Sequence, residues 1–380
     1  MSPARTATPV TVVAAQLAAR VPGGTGRYTR ELVRALAATA EGRPLRALAP
    51  REGTPGEHLE VPVRRLPVPA RLLPPLWERS PWPRAARAGV VHAPTLLVPP
   101  PVPGVGLVVT CHDVVPWTHP GTLTPRGVAF HHRMGERAAA HADVVVTPTA
   151  AVAEQVRRVL APRGEVVPVL PGVSTLPPLP PDEAAARRTA RGVPTRYALF
   201  VGTAEPRKGL DVLLAALARP DTGGLALVVV GPAGWGDVDV ADLARRAGVA
   251  ARVLVTGRVD DADLAALYAG AAVVVMPSRA EGFGLPVVEA FAAGAPVVTS
   301  DDPALVEVGA GGALVAPRED EGALAAALAE ATQPGPGARE RLHRAADRAA
   351  ELTWTATARR LWEVYEDVGG RTTSTKPRGL

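Results

Sequence analysis

The stretch Ser278-Arg279-Ala280-Glu281-Gly282-Phe283-Gly284-Leu285-Pro286-Val287-Val288-Glu289 sets two carboxylates, Glu281 and Glu289, around a glycine turn with seven residues between them. The run before it, 271–276, is apolar and β-branched, as a strand buried on both faces should be. Residues 287–293 have helical spacing and good helix formers. The segment is therefore strand, loop and helix start. In such a loop the amides of Gly282, Phe283, Gly284 and Leu285 sit at a helix N-terminus, where orphan donors and the macrodipole favour a phosphate.

Working outward, the same alternation fills the second half of the chain. Strands are expected at 197–201, 226–230, 253–256, 296–300 and 312–315, with helices at 210–218, 240–247 and 261–269 between them. The first half repeats the pattern, with strands at 10–15, 45–49, 90–92, 106–111, 144–147 and 166–170 and helices at 26–38, 125–140 and 149–160. Such alternation predicts parallel, doubly wound sheets. A proline-rich run, 171–181, separates the halves and is the expected linker. With 380 residues the chain exceeds the size at which one core keeps growing, so two domains are expected.

A second chemical stretch, Gly202-Thr203-Ala204-Glu205-Pro206-Arg207-Lys208-Gly209, follows a strand directly. Two adjacent cations beside glycines and a helix start suit a diphosphate. Alone, a solvated pair capping a loop would explain them as well. A third, Gly23-Gly24-Thr25-Gly26, stands between the first strand and a helix carrying Arg27 and Tyr28. It imitates a dinucleotide fingerprint but has Thr29 at the third glycine position. A fourth, His112-Asp113, ends a strand, which in a doubly wound sheet is the ligand edge.

On these residues the chain resembles the retaining glycosyltransferases of GT-B architecture, group 4. Their signature is Glu-Gly-Phe-Gly-Leu-Pro-x-x-Glu followed by Ala and a Gly-x-Pro-Val-Val run, here Gly294-Ala295-Pro296-Val297-Val298. The resemblance implies two Rossmann-like domains facing a cleft: 1–175 on the acceptor side and 176–353 on the donor side. A C-terminal helix, 354–368, would pack back on the first domain, ahead of a disordered tail, 369–380. It further implies that Glu289 holds a ribose and that Lys208 and Arg207 hold the diphosphate. Gly282, Phe283, Gly284 and Leu285 would hold phosphate and sugar, and Glu281 and His112 would position the hexose. Gly24, Thr203 and Val259 complete the expected donor set, and Gly23, Arg27, Tyr28, Trp117, His131 and Arg133 the acceptor set. Members often carry an arginine after the first glycine, where Thr203 stands here; Arg207 is the candidate substitute.

In this family the leaving phosphate oxygen accepts the acceptor's proton, so no protein base is expected. No metal or other cofactor is expected either. The runs Asp237-Val238-Asp239 and Asp261-Ala262-Asp263 imitate a metal-binding Asp-x-Asp but sit at apparent helix starts, where Asp is an ordinary cap or first-turn residue. The wording of residues 202–208 and His112-Asp113 is similar to bacterial mannosyltransferases, implying GDP-mannose as donor, with a UDP-sugar second. The acceptor would be a hydroxyl on a glycan, a lipid-linked saccharide or a small molecule. Two other classes stay open: a GT-B epimerase, which would need further cleft carboxylates, and a non-catalytic nucleotide-sugar-binding protein.

Composition fits a globular protein, with 47% apolar and 21% charged residues. Only Lys208 and Lys376 are lysines, which makes the first stand out in its motif. Residues 1–175 hold 20 arginines against 11 acids, so the net charge of +5 divides as +9 and −4. A basic first half is compatible with an anionic membrane surface, a phosphorylated acceptor or plain solvent. Nucleic acid is not expected, since no aromatic residues interleave the basic ones. The single cysteine, Cys111, rules out an internal disulfide and fits a reducing cytoplasm, with peripheral contact at the inner face of the membrane left open. The apolar run 10–19 lacks the charged approach of a signal peptide and is expected to be the first strand.

Overall fold

The computed structural model describes residues 7–18, 23–52, 59–174, 176–232, 234 and 238–374. The chain divides into two compact units. The first comprises Met1–Thr118, Pro125–Gly172 and Thr353–Leu380; the second comprises His119–Thr124 and Val173–Leu352.

In the first unit seven strands form one sheet: β1 (Val10–Val13), β2 (Leu45–Ala49), β3 (Val63–Arg65), β4 (Gly89–Ala93), β5 (Val105–Thr110), β6 (Val144–Thr147) and β7 (Glu165–Pro168). Their order is β3-β2-β1-β4-β5-β6-β7, with every pairing parallel. The second unit has β8 (Tyr197–Val201), β9 (Ala226–Val230), β10 (Val253–Gly257), β11 (Val273–Met276), β12 (Val297–Ser300) and β13 (Leu314–Ala316), ordered β10-β9-β8-β11-β12-β13. Strands β9, β11 and β12 are buried throughout, which explains their unbroken apolar runs. Each sheet reverses its order once, at β1/β4 and at β8/β11. Loops at the carboxyl ends of those strands are where a doubly wound fold places its ligands.

The core of the first unit joins Val10, Val12, Leu32, Leu36, Val90, Val108 and Val144 to Leu361, Trp362, Tyr365 and Val368 of a late helix, Trp354–Ser374. Polar ties fix that helix. Thr357 donates to the Leu170 carbonyl at 2.8 Å, the Trp362 indole donates to Thr39 Oγ1 at 3.1 Å, and Arg43 pairs with Glu366 at 2.9 Å. Gly172 makes this crossing possible, because a Cβ there would stand 2.1 Å from the Trp354 nitrogen.

Some expectations need correcting. Gly23, Gly24 and Gly26 are the first turn of the helix Gly23–Ala38 and not a loop before it. Residues 369–374 are helical rather than disordered, because the helix has an apolar face long enough to keep packing through Val368. The tail at 375–380, like Asp237, lies outside the described residues. Strand β3 was not foreseen, since three residues with two arginines carry no apolar period. No described helix is long and apolar enough to cross a membrane.

Candidate active site

In the second unit the loops after β8 and β11 stand side by side at the point where the sheet reverses. The Arg279 amide donates to the Arg207 carbonyl at 2.7 Å, joining one loop to the other. Gly209 allows the approach. Its φ is +67°, and a Cβ there would lie 2.2 Å from the Pro277 carbonyl oxygen. Ser300, at the end of β12, donates to the Ser278 carbonyl at 2.6 Å and holds the second loop from its other flank.

This packing brings the two predicted motifs into contact. Glu281 is only 7% exposed. One of its oxygens receives the Lys208 ammonium together with the Ser278 hydroxyl, the latter at 2.8 Å. The other receives Arg207 at 3.3 Å. Arg207 also donates to the Ala280 carbonyl at 3.1 Å and pairs with Glu205 at 2.8 Å. Burial works to raise the Glu281 carboxyl, but the charges of Lys208 and Arg207 and the hydrogen bonds from Lys208 and Ser278 reverse that and hold it at about 2. Within this cluster two cations face two carboxylates. Its pull on an anion thus depends on turning donors outward more than on surplus charge.

Below the loop, the helix Leu285–Ala292 begins as expected, with Gly284 at its N-cap in the left-handed region (φ +86°) and no side chain capping it. A Cβ on Gly284 would meet Leu305 at 2.4 Å, so glycine is required twice over. Phe283 is buried, and Gly282 and Leu285 are partly exposed. Glu289, 5% exposed, lies one turn into the helix and accepts a hydrogen bond from the Tyr268 hydroxyl at 2.9 Å. Thr203 is partly exposed just after β8. Val259, also partly exposed, lies between β10 and the helix Asp261–Gly270.

Asp239, Asp260 and Asp263, at and beside the acidic runs, are engaged locally. Asp239 caps the helix Val240–Arg246 through the amides of Ala241 and Asp242, at 2.9 and 3.2 Å. Asp260 caps the helix Asp261–Gly270 through the Asp263 amide at 2.7 Å, and buried Asp263 pairs with Arg187 at 3.1 Å and with Arg191. Among the described residues no group of three or more His, Cys, Asp or Glu is placed to hold a metal ion.

In the first unit His112 stands two residues beyond β5. Its Nε2 is 2.8 Å from the Pro94 carbonyl. A carbonyl only accepts, so that nitrogen carries the proton and the neutral ring keeps its lone pair on Nδ1. Burial pushes the imidazole below its ordinary value, against the opposing pull of that hydrogen bond and of Asp113. Tyr28, expected on the acceptor side, is only 7% exposed; its ring packs edge-on against His112 with centroids 4.7 Å apart. Its hydroxyl is hydrogen-bonded to Thr110, and burial pushes the phenol up to about 12. Trp117 stacks on His132 at 5.1 Å. His131 bonds the Gly127 carbonyl at 2.8 Å, and exposed Arg133 pairs with Glu78 at 3.2 Å. Gly24 and Arg27 lie in the first turn and a half of their helix, exposed and partly exposed.

Residues with no assigned role in the sequence reading complete these clusters. Ser278 and Glu205 orient the charged groups and Tyr268 holds Glu289. A buried tyrosine must find a partner for its hydroxyl, and Tyr268, on the helix ahead of the glutamate loop, was the signal available.

Two parallel-sheet units of seven and six strands define the GT-B class of glycosyltransferase fold. Residues 182–349 match the family of glycosyl transferases group 1 and residues 23–172 match a glycosyl transferase 4-like domain, so the chain belongs to this family. It is 35% identical over 234 residues to a D-inositol 3-phosphate glycosyltransferase of Thermobispora bispora, covering 58% of this chain and 54% of that protein. It is 34% identical over 140 residues to O-antigen chain mannosyltransferase B of Escherichia coli, covering 36% of this chain and 37% of that one. The chain spans about half the length, or less, of these curated relatives. The structure of HepE from Anabaena, solved with UDP and glucose, superposes with a TM-score of 0.70 over 95% of this chain and 100% of that one, at 17% identity, a likeness of fold.

Proposed function

We propose that the protein transfers a hexose, with retention, from a nucleoside diphosphate sugar to a hydroxyl acceptor. The observation that carries this is the meeting of Lys208, Arg207 and Glu281 from two loops at the switch point of the second sheet, with Glu289 one turn into the following helix. In this reading Glu289 takes the ribose hydroxyls and the Gly284–Leu285 end of its helix takes the phosphate. Lys208 and Arg207 turn from Glu281 toward the diphosphate as its charge grows, and Glu281 then positions the hexose. The leaving phosphate oxygen takes the acceptor's proton, so the protein's share is positioning and electrostatic stabilisation of a separating ion pair. His112 meets the sugar as a neutral imidazole.

GDP-mannose is the proposed donor, supported by the mannosyltransferase relative and the form of residues 202–208; a UDP-sugar is second. A hydroxyl on a glycan, a lipid-linked saccharide or a small molecule would be the acceptor. No metal takes part in this scheme, since protein cations neutralise the leaving group. Release of nucleoside diphosphate across a panel of donors, with and without candidate acceptors, tests the reading. Acceptor-dependent release with one donor and an α-linked product from an α-linked donor is expected. Turnover without acceptor to an epimerised sugar, or binding with no turnover for any pair, would overturn it.

A further inference from the structure

Tyr268 is fully buried, and its hydroxyl donates to Glu289 Oε2 at 2.9 Å from a helix of its own, Asp261–Gly270. That helix is pinned near the tyrosine by two further bonds. Arg188 donates to the Ala266 carbonyl at 3.0 Å and the buried Tyr197 hydroxyl donates to the Leu267 carbonyl at 2.6 Å. Arg188 also lies over Gly270, where a Cβ would stand 2.5 Å from its Nε. The Arg187 and Arg191 pairs with Asp263 hold the first turn. The Tyr268 hydroxyl is therefore a donor fixed in space by the packing of its helix.

A carboxylate offers about four lone-pair directions on two oxygens. An alkyl-linked carboxylate left to itself rotates about its last bond and spreads those directions. Glu289 does not have that freedom, because one oxygen is held by a phenol that cannot move. Resting on the proposed function, we infer that Tyr268 is a positioning residue: it presets the plane of the Glu289 carboxylate so that the lone pairs remaining meet a ribose cis-diol. The tyrosine touches no substrate itself. The consequence is discrimination, since a preset acceptor rewards both hydroxyls of a ribonucleotide and gains little from a deoxyribose.

The experiment compares the affinities of the intact protein for GDP and UDP with those for their 2′-deoxy forms by calorimetry, in wild type, Tyr268→Phe and Glu289→Gln. Wild type is expected to favour the ribonucleotide by about 10-fold. Tyr268→Phe, with its fold checked by circular dichroism and its melting temperature, is expected to reduce that ratio to about 3-fold or less, mostly through weaker ribonucleotide binding. If Glu289→Gln collapses the ratio and Tyr268→Phe leaves it unchanged, the tyrosine is only part of the core and the inference is overturned while the ribose clamp stands. If wild type shows no preference, the clamp and the inference fall together. Should the phenylalanine variant not fold, 3,5-difluorotyrosine at position 268 keeps the shape and strengthens the donor. The ratio is then expected to change by at least about twofold, and an unchanged ratio overturns the inference.

Discussion

At their centres the two sheets have one strand order, but their carboxyl edges carry opposite kinds of chemistry. In the second unit the edge is ionic: Lys208, Arg207, Glu281 and Glu205 hold one another in a partly buried cluster. In the first, Asp113 apart, the groups that hold one another are neutral. His92, fully buried on β4, accepts and donates between the Tyr365 hydroxyl at 2.6 Å and Thr110 Oγ1 at 2.8 Å. Thr110 is in turn bonded to Tyr28, whose ring rests on His112. The doubly wound frame thus determines where polar groups collect, and loop residues determine whether the place is charged. An ionic edge suits a departing diphosphate; a neutral, hydrogen-bonded one suits a sugar.

Removing the lysine should break this contrast most severely. In the proposed reaction its charge would matter more as the diphosphate leaves than before, so Lys208→Ala is expected to lower kcat by ~100-fold or more with a smaller change in donor affinity. Lys208→Arg should recover only part, because a planar fork replaces a compact charge. Near-normal turnover in the alanine variant would move the leaving-group role to Arg207 or the backbone. Next in size, Glu289→Ala should weaken nucleotide binding by ~1.5–3 kcal/mol, the range for a charge-assisted hydrogen bond, read by calorimetry on a folded variant.

Acid separates the two edges as well. Burial, with a minor contribution from His112, lowers the His92 imidazole to about 3, below its ordinary 6.5. Between those values the unfolded chain binds the proton and the folded one does not. The stability from this group is therefore complete above pH 6.5 and is lost as pH falls toward 3, by up to about 1.4 kcal/mol per pH unit. Glu281, lowered from 4.5 to about 2, gives stability that is complete above 4.5 and lost as pH falls toward 2. Hydrogen exchange resolved along the chain should show the strands around His92 weakening from about pH 6.5 and the loop at Glu281 holding to about 4.5. A simultaneous loss would erase the distinction. The smallest effect is expected from chelation: excess EDTA, or added Mg²⁺ or Mn²⁺, should change turnover little, and a loss restored by a divalent ion would overturn the reading of the acidic runs.

Much of the frame was legible because buried parallel strands announce themselves as apolar runs. Strands 45–49, 144–147, 197–201 and 226–230 fall where those runs lie. The contact of residues 207–208 with Glu281 was not read from the sequence, where the cations were assigned to the diphosphate and the carboxylate to the hexose. What escaped depended on partners far along the chain. Nothing near Tyr28 in sequence says that its ring packs on His112, and nothing near His92 says that Tyr365, 273 positions later, completes its hydrogen bonds. The glycines at 23–26 misled for another reason. Glycine is a poor helix former, but the packing of Tyr28 and Leu32 overrides that local preference.

The return of the helix Trp354–Ser374 to the first sheet also sets an order of assembly. Residues 173–352 form most of the second unit as one continuous stretch and can complete their core as soon as they leave the ribosome. The first unit is made earlier, but the partner of His92 Nδ1 and the side chains of Leu361, Trp362 and Val368 that complete its core follow only after the entire second unit has been synthesised. The half of the molecule that is translated first is the half whose core is completed last.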